Sequence, residues 1–314
     1  MKASFGRSDK YVIFLFFFIP TVLLIIGYFF FAYPQSDVIK QILNIPLFSG
    51  LFLIGIGYFL KDRCWSSWLK IAGWVVFSFF WATAPSTLYF SEGGDIFNAA
   101  VCILGVYILI YMAYHEWLSL RLKEHPSCLN WIAGGTFFAG IIYFSLDSTL
   151  FPQLKTGLID IVAAHSAGVL HLLGIEATRQ GSLISYNGTS VTIIFACTAI
   201  QSMVLFVGMI GALPKIDMRR RVTALAVTVI PIYFLNLIRN AGVIYMIGSK
   251  LTSFHMAHNV IAKAGSLIAL IVLLFLTFKI VPELFDEILG IFDLPKRKGP
   301  VEKLFAVMMG KTKK

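Results

Sequence analysis

Apolar runs long enough to cross the roughly 30 Å hydrocarbon core of a bilayer recur along the chain at 11–33, 42–60, 69–90, 97–115, 130–150, 197–214, 222–247 and 259–281. At a rise of about 1.5 Å per residue each is a helix-length segment, and charged residues gather in the gaps between them. The pattern predicts an all-α polytopic membrane protein of about eight transmembrane helices, which places both termini on one side. The basic clusters decide which side. All but six of the 26 Lys and Arg residues fall on the side of the termini, among them Lys61, Arg63 and Lys70, the group Lys215, Arg219, Arg220 and Arg221, and the tail residues Lys296, Arg297 and Lys298. By the positive-inside rule the N- and C-termini are cytoplasmic. The six exceptions are Lys40, Lys155, Arg179, Arg239, Lys250 and Lys263. Arg239 lies within an apolar run, where a charge is costly and more often functional than incidental. The first run follows a basic start (Lys2, Arg7, Lys10) and has no small-residue cleavage site before the next polar loop, so it reads as an uncleaved span.

Between the fifth and sixth runs the pattern changes. Leu154, Leu158, Ile161, Val162, Val169, Leu172 and Leu173 recur at near-helical spacing with Asp160, His165 and His171 among them, predicting an amphipathic helix over 153–173 on the outer face. Two short β-prone arms over 182–194 then flank Asn187-Gly188, a strong signal for a two-residue hairpin turn. The expected organisation is a five-span region (1–150), an extracytoplasmic helix and hairpin (151–196), a three-span catalytic region (197–282) and a basic cytoplasmic tail (283–314) attracted to anionic headgroups.

Composition supports this reading: hydrophobic residues make up 58% of the chain and charged residues 13%, with a mean hydropathy of +0.82, more apolar surface than a soluble fold of this size covers. The net charge of +10 is split into short clusters with no contiguous basic face, so nucleic acid is not an expected partner. Cys64, Cys102, Cys128 and Cys197 form no CxxC pair and no ligand spacing. Neither a disulfide framework nor a metal site is predicted, and no cofactor is implied.

Helix lengths bring candidate chemistry together. From Cys197 to Pro214 is 17 residues, about 26 Å; from Arg221 to Arg239 is 18, about 27 Å. Antiparallel helices would raise both side chains to the same outer level, and His255 and His258 precede the eighth run near that level. A cysteine at a helix N-terminus is drawn toward thiolate by the helix dipole and by a nearby cation. Arginine holds an oxyanion with fork-shaped hydrogen bonds, and histidine moves protons near neutrality. The simpler readings are a small core cysteine, a snorkelling arginine and interfacial histidines.

Three segments carry a resemblance: Ala196-Cys197-Thr198-Ala199-Ile200-Gln201-Ser202-Met203, then Asn236-Leu237-Ile238-Arg239-Asn240, then Phe254-His255-Met256-Ala257-His258-Asn259. In this order they resemble the exosortase/archaeosortase family, most of all its archaeosortase branch, over about 150–282. Ala199 departs from the pattern where glycine is frequent. The resemblance implies a membrane-embedded cysteine transpeptidase acting on secreted proteins that bear a C-terminal signal of recognition motif, transmembrane helix and basic cluster. It implies Cys197 as nucleophile, Arg239 as clamp and His255 at a third position, with His258 in reserve. Gln201, Asn236 and Asn240 are supporting candidates; Tyr186 and Thr198 are candidates for substrate binding.

The expected mechanism is acyl transfer in the plasma membrane, at an extracytoplasmic site: Cys197 attacks a peptide carbonyl, and a membrane lipid resolves the thioester. A competing expectation is a transporter in which Arg239 binds an anionic solute and Pro231 breaks the seventh span. A non-catalytic scaffold is a third.

Overall fold

A computed structural model describes residues 6–61, 65–91, 94–147 and 151–310; Lys2, Arg63 and Cys64 lie outside the described residues. In chain order the elements are α1 (Arg7–Phe30), α2 (Asp37–Phe59), α3 (Ser66–Ala82), α4 (Ala84–Phe90), α5 (Ile96–Leu122), α6 (Ser127–Asp147), α7 (Pro152–Leu172), the strands β1 (Thr178–Gln180), β2 (Leu183–Tyr186) and β3 (Thr189–Thr192), then α8 (Ile200–Gly211), α9 (Met218–Gly248), α10 (Lys263–Ile280), α11 (Glu283–Asp293) and α12 (Pro300–Met308). Among the described residues seven helical segments are long and apolar enough to span a membrane: α1, α2, α3 with α4, α5, α6, α9, and α10 with the π-helical turns before it. The protein is an all-α polytopic membrane protein with one small sheet. The sixth run is where expectation and structure differ. Its apolar stretch divides into a 3-10 turn, Phe195–Thr198, and the 12-residue helix α8, about 18 Å long and short of a full crossing.

The chain divides into two compact units, Met1–Phe137 with Asp286–Lys314, and Phe138–Phe285. These boundaries differ from those expected at 150, 196 and 282. In the first unit α2 and α3 interlock through glycine: a Cβ at Gly50 would lie 2.7 Å from the Phe77 backbone nitrogen, and one at Gly73 would lie 2.7 Å from that of Ile54. Small residues allow such close backbone approach between membrane helices. Lys70 and Glu116 pair at 2.8 Å with both side chains almost fully buried.

The tail differs most from expectation. It belongs to the first unit as a docked element. Arg297, its side chain 9% exposed, donates to the His115 carbonyl at 3.1 Å and to Ser119 Oγ at 3.1 Å. Glu302 on α12 accepts from the Tyr111 hydroxyl at 2.9 Å and the Tyr114 hydroxyl at 2.8 Å, with His115 Nε2 at 3.4 Å.

In the second unit α7, the sheet and α8 gather around α9. The amphipathic helix is present as α7, but its buried face is made of small and medium residues, Val162, Ala163, Ser166, Ala167 and Leu170. Of the seven residues on which the periodicity rested, Val162 is buried, Leu158 and Val169 are half-buried, and Leu154, Ile161, Leu172 and Leu173 are exposed. The hairpin forms with Tyr186 opposite Thr189, and Asn187 (φ 48°) and Gly188 (φ 76°) make its left-handed turn. An unexpected third strand, β1, pairs antiparallel with β2. Pro231 lies inside α9, which runs on through it; the break expected of a transporter helix is not there. At the start of α9, capped by Asp217, Arg220 donates to the Ile280 carbonyl at 3.1 and 2.9 Å and makes two 2.8 Å hydrogen bonds to Glu283.

Candidate active site

Cys197 sits in the 3-10 turn ahead of α8, its backbone N–H bonded to the Ile194 carbonyl at 2.8 Å. Its side chain is 9% exposed and packs in a cluster with Ala163, Ala167, Leu237, Ala241 and Ile244, drawn from α7 and α9. The turn is fixed from both directions. Asn236 Nδ2 donates to the Cys197 carbonyl at 2.8 Å, and Asn240 Nδ2 donates to the same oxygen at 3.0 Å. Residues four apart share a helix face, so the two amides form a cradle one turn long. Asn240 also reaches Ser166 Oγ on α7 at 3.4 Å. Both asparagines are buried, so this carbonyl is well satisfied in an apolar setting.

Arg239 lies within that same turn of α9, half-buried, and donates from Nη1 to Asn240 Oδ1 at 3.2 Å. Through the two asparagines the backbone of the Cys197 turn is joined to the turn of α9 that carries Arg239. Arg239 and Asn236 line a cavity of about 540 Å³ whose wall also includes Ala196, Ala199, Ser202 and Lys263. Cys197 is set behind this wall, flanked by Ala196 and next but one to Ala199.

Thr198 is fully buried; its hydroxyl donates to the Phe195 carbonyl at 2.7 Å and accepts from the Ile200 N–H at 3.4 Å. It shapes the turn and offers no free group to a substrate. Ala199 adopts φ 58°. That left-handed conformation costs a non-glycine residue about 1 kcal/mol, which is the physical reason glycine suits this position. Tyr186 stacks on Tyr245 with ring centroids 6.2 Å apart and closes over Gly248 of α9, so it joins the sheet to that helix. Gln201 is exposed at the start of α8.

The histidines separate. His255 is exposed, and among the described residues no hydrogen bond or ion pair joins it to Cys197 or Arg239. His258, half-buried, stacks on Phe254 with centroids 5.2 Å apart and feels the positive charge of both Arg239 and Lys263. Of the two, His258 is the one near Arg239. Both lie in a π-helical stretch, His255–Ala262, a geometry that is frequent at functional sites. Sequence reasoning gave no role to His165, whose Nδ1 lies 2.5 Å from the Tyr233 hydroxyl. Tyr233 packs on the cluster that holds Cys197. Lys263 went unassigned because a lysine at the end of an apolar run reads as an anchor. Among the described residues no group of three or more His, Cys, Asp or Glu side chains is arranged to hold a metal.

The three segments that carry this geometry fall inside one matched region. Residues 130–278 match the transmembrane exosortase family, Exosortase_EpsH. The chain is similar to the exosortase/archaeosortase family over just under half of its length. It is 24% identical over 289 residues to the protein named Archaeosortase A in Haloferax volcanii, covering 76% of this chain and 88% of that one. A second Archaeosortase A, from Natronomonas pharaonis, is 24% identical over 300 residues, covering 83% of this chain and 90% of the relative. No solved structure matches. The match extends beyond the second unit, since residues 130–137 and 138–278 both fall in it and the curated relatives align over most of the chain.

The cradle makes a direct prediction. Asn240→Leu removes one of two donors to the Cys197 carbonyl and the link to Ser166, and is expected to cost about 1–3 kcal/mol of stability. Thermal unfolding in detergent would show a lower midpoint than for the wild type, and an unchanged midpoint would show that Asn236 alone holds the turn.

Proposed function

We propose that the chain is a membrane-embedded cysteine transpeptidase of the archaeosortase kind. It would cleave the C-terminal sorting signal of secreted surface proteins at the extracytoplasmic side of the plasma membrane and pass them to a membrane lipid. Cys197 as thiolate attacks the peptide carbonyl; Arg239, in the helix turn that cradles residue 197, stabilises the oxyanion. The C–N bond breaks, the leaving amine takes a proton from a histidine, and an acyl-thioester remains. His255 and His258, both in the π-helical stretch that opens the last span, are the two candidates for that donor.

The observation that supports this reading most strongly is the double amide clasp on the Cys197 carbonyl by the two asparagines that flank Arg239. It ties the turn that carries Cys197 to the turn of α9 that carries Arg239. Mass spectrometry of the C-terminal peptide of a processed surface protein, from cells carrying the wild-type chain, tests the proposal. A truncated C-terminus with a lipid mass attached is expected; an intact C-terminal helix on the mature protein would overturn it.

A further inference from the structure

Two cations face the same cavity without an anion between them. Arg239 and Lys263 both line it, and neither forms an ion pair among the described residues. Much of the remaining wall is apolar: Leu235, Ile238, Leu267 and Leu273. Ile238 and Leu267 are about 60% exposed, so the cavity is open sideways along α9 and α10, the two membrane-length helices that bound it. A cation beside an apolar wall is costly, and two facing one space raise each other's cost. An anion bound between them relieves both.

We infer that Lys263 binds the phosphate of a phospholipid that enters this cavity laterally, as the acceptor in the transfer step. This rests on the transpeptidase reading above. Charge separates the lipid from the other apolar occupant, the transmembrane helix of the substrate: an apolar helix brings no anion to Arg239 and Lys263, whereas a phospholipid carries a phosphate directly above its acyl chains. Phosphate is held by a lysine as a point charge. Bound there, it brings the headgroup's terminal amine or hydroxyl to the side of the cavity formed by Ala196 and Ala199, which flank the cysteine turn. That nucleophile attacks the thioester carbonyl; the C–S bond breaks, a C–N or C–O bond forms, and the displaced proton goes to the Cys197 sulfur. The phosphate is unchanged.

The test uses the full-length chain in detergent, a substrate protein and a short-chain phosphatidylethanolamine. The readout is the ratio of lipid-linked to hydrolysed product, which is independent of how much substrate is cleaved. In Lys263→Met this ratio is expected to fall about tenfold, the value of one charge-assisted hydrogen bond, and Lys263→Arg is expected to restore it. A diacyl amine without phosphate should give the same ratio with wild type and Lys263→Met. An unchanged ratio in Lys263→Met, or an equal fall with the phosphate-free amine, overturns the inference. Suppression of the wild-type ratio by inorganic phosphate at the same concentration as the lipid also overturns it, because the site would then take free phosphate. These outcomes leave the role of Cys197 standing, whereas product formed by a Cys197 variant would remove the underlying reading instead.

Discussion

Serine at position 197 is expected to lower processing of a secreted substrate by on the order of 10³-fold or more, the usual scale for loss of a nucleophile. The reason is chemical. A serine hydroxyl is far less acidic than a thiol, and no histidine lies in hydrogen-bond contact with residue 197 among the described residues to act as the base that serine would require. The fold should tolerate the change. Asn236 and Asn240 hold residue 197 by its carbonyl, which is the same in either amino acid, and the side chain is only slightly smaller. Pulse-labelled substrate would therefore stay at its unprocessed size in cells whose variant protein accumulates and melts like the wild type. Processing at the normal rate would end the cysteine mechanism, and loss of the protein itself would show instead that the sulfur is needed for packing in the cluster with Ala163 and Ala241.

The second large effect lies at the other end of the chain. Glu302→Ala is expected to destabilise the first unit by about 3–5 kcal/mol, the cost of removing one member of a buried charged set. The carboxylate accepts from Tyr111 and Tyr114 and approaches His115, so its loss leaves two largely buried hydroxyls without an acceptor and the buried His115 ring without its nearest carboxylate. Glu302→Gln keeps an acceptor oxygen for one tyrosine and should cost less than half as much. Thermal unfolding, together with protease cutting after residue 297, would follow the release of α12. The pH dependence has a definite sign. Burial opposes the charged form of Glu302, but the nearby His115 ring and the hydrogen bond from Tyr114 outweigh it and hold the carboxyl below the usual carboxylate range. A depressed folded-state pKa stabilises above the unfolded value and is lost as pH falls through the folded one. The docking of α12 should accordingly be complete at neutral pH and weaken only in acid. Equal stability of Glu302→Ala and wild type would show that the tail is attached by its apolar contacts alone.

What the sequence disclosed follows from periodicity and turn chemistry. Seven of the eight apolar runs are long helices because each is apolar for the full bilayer thickness. The sixth run matched in length, but Cys197 and Thr198 turn 3-10 and Ala199 turns left-handed, features that hydropathy does not record. The Asn187-Gly188 turn was legible because both residues tolerate positive φ. β1 was not, since three exposed residues carry no alternation. For α7 four of the seven periodic apolar residues are exposed, because closeness to α9 is set by Ala163, Ser166 and Ala167. At the site, Cys197 and Arg239 were placed by counting helix lengths, and the roles of Asn236 and Asn240 were included only as support although they make the hydrogen bonds that align the two. His255 drew attention through the shared motif, yet His258 is the neighbour of Arg239. In the tail Lys296, Arg297 and Lys298 look like one basic patch in sequence, whereas Arg297 turns inward to polar groups spaced along α5.

The bond set of Arg220 has a mechanical consequence. It ties the first turn of α9 to the last carbonyl of α10 and to the residue beginning α11. At the opposite end Val243 of α9 is buried with Ala257 and Ala262 in the turns that precede α10. With both ends clamped, the two helices can part only along their middle, so a guest entering from the side must fit the window that the clamps leave.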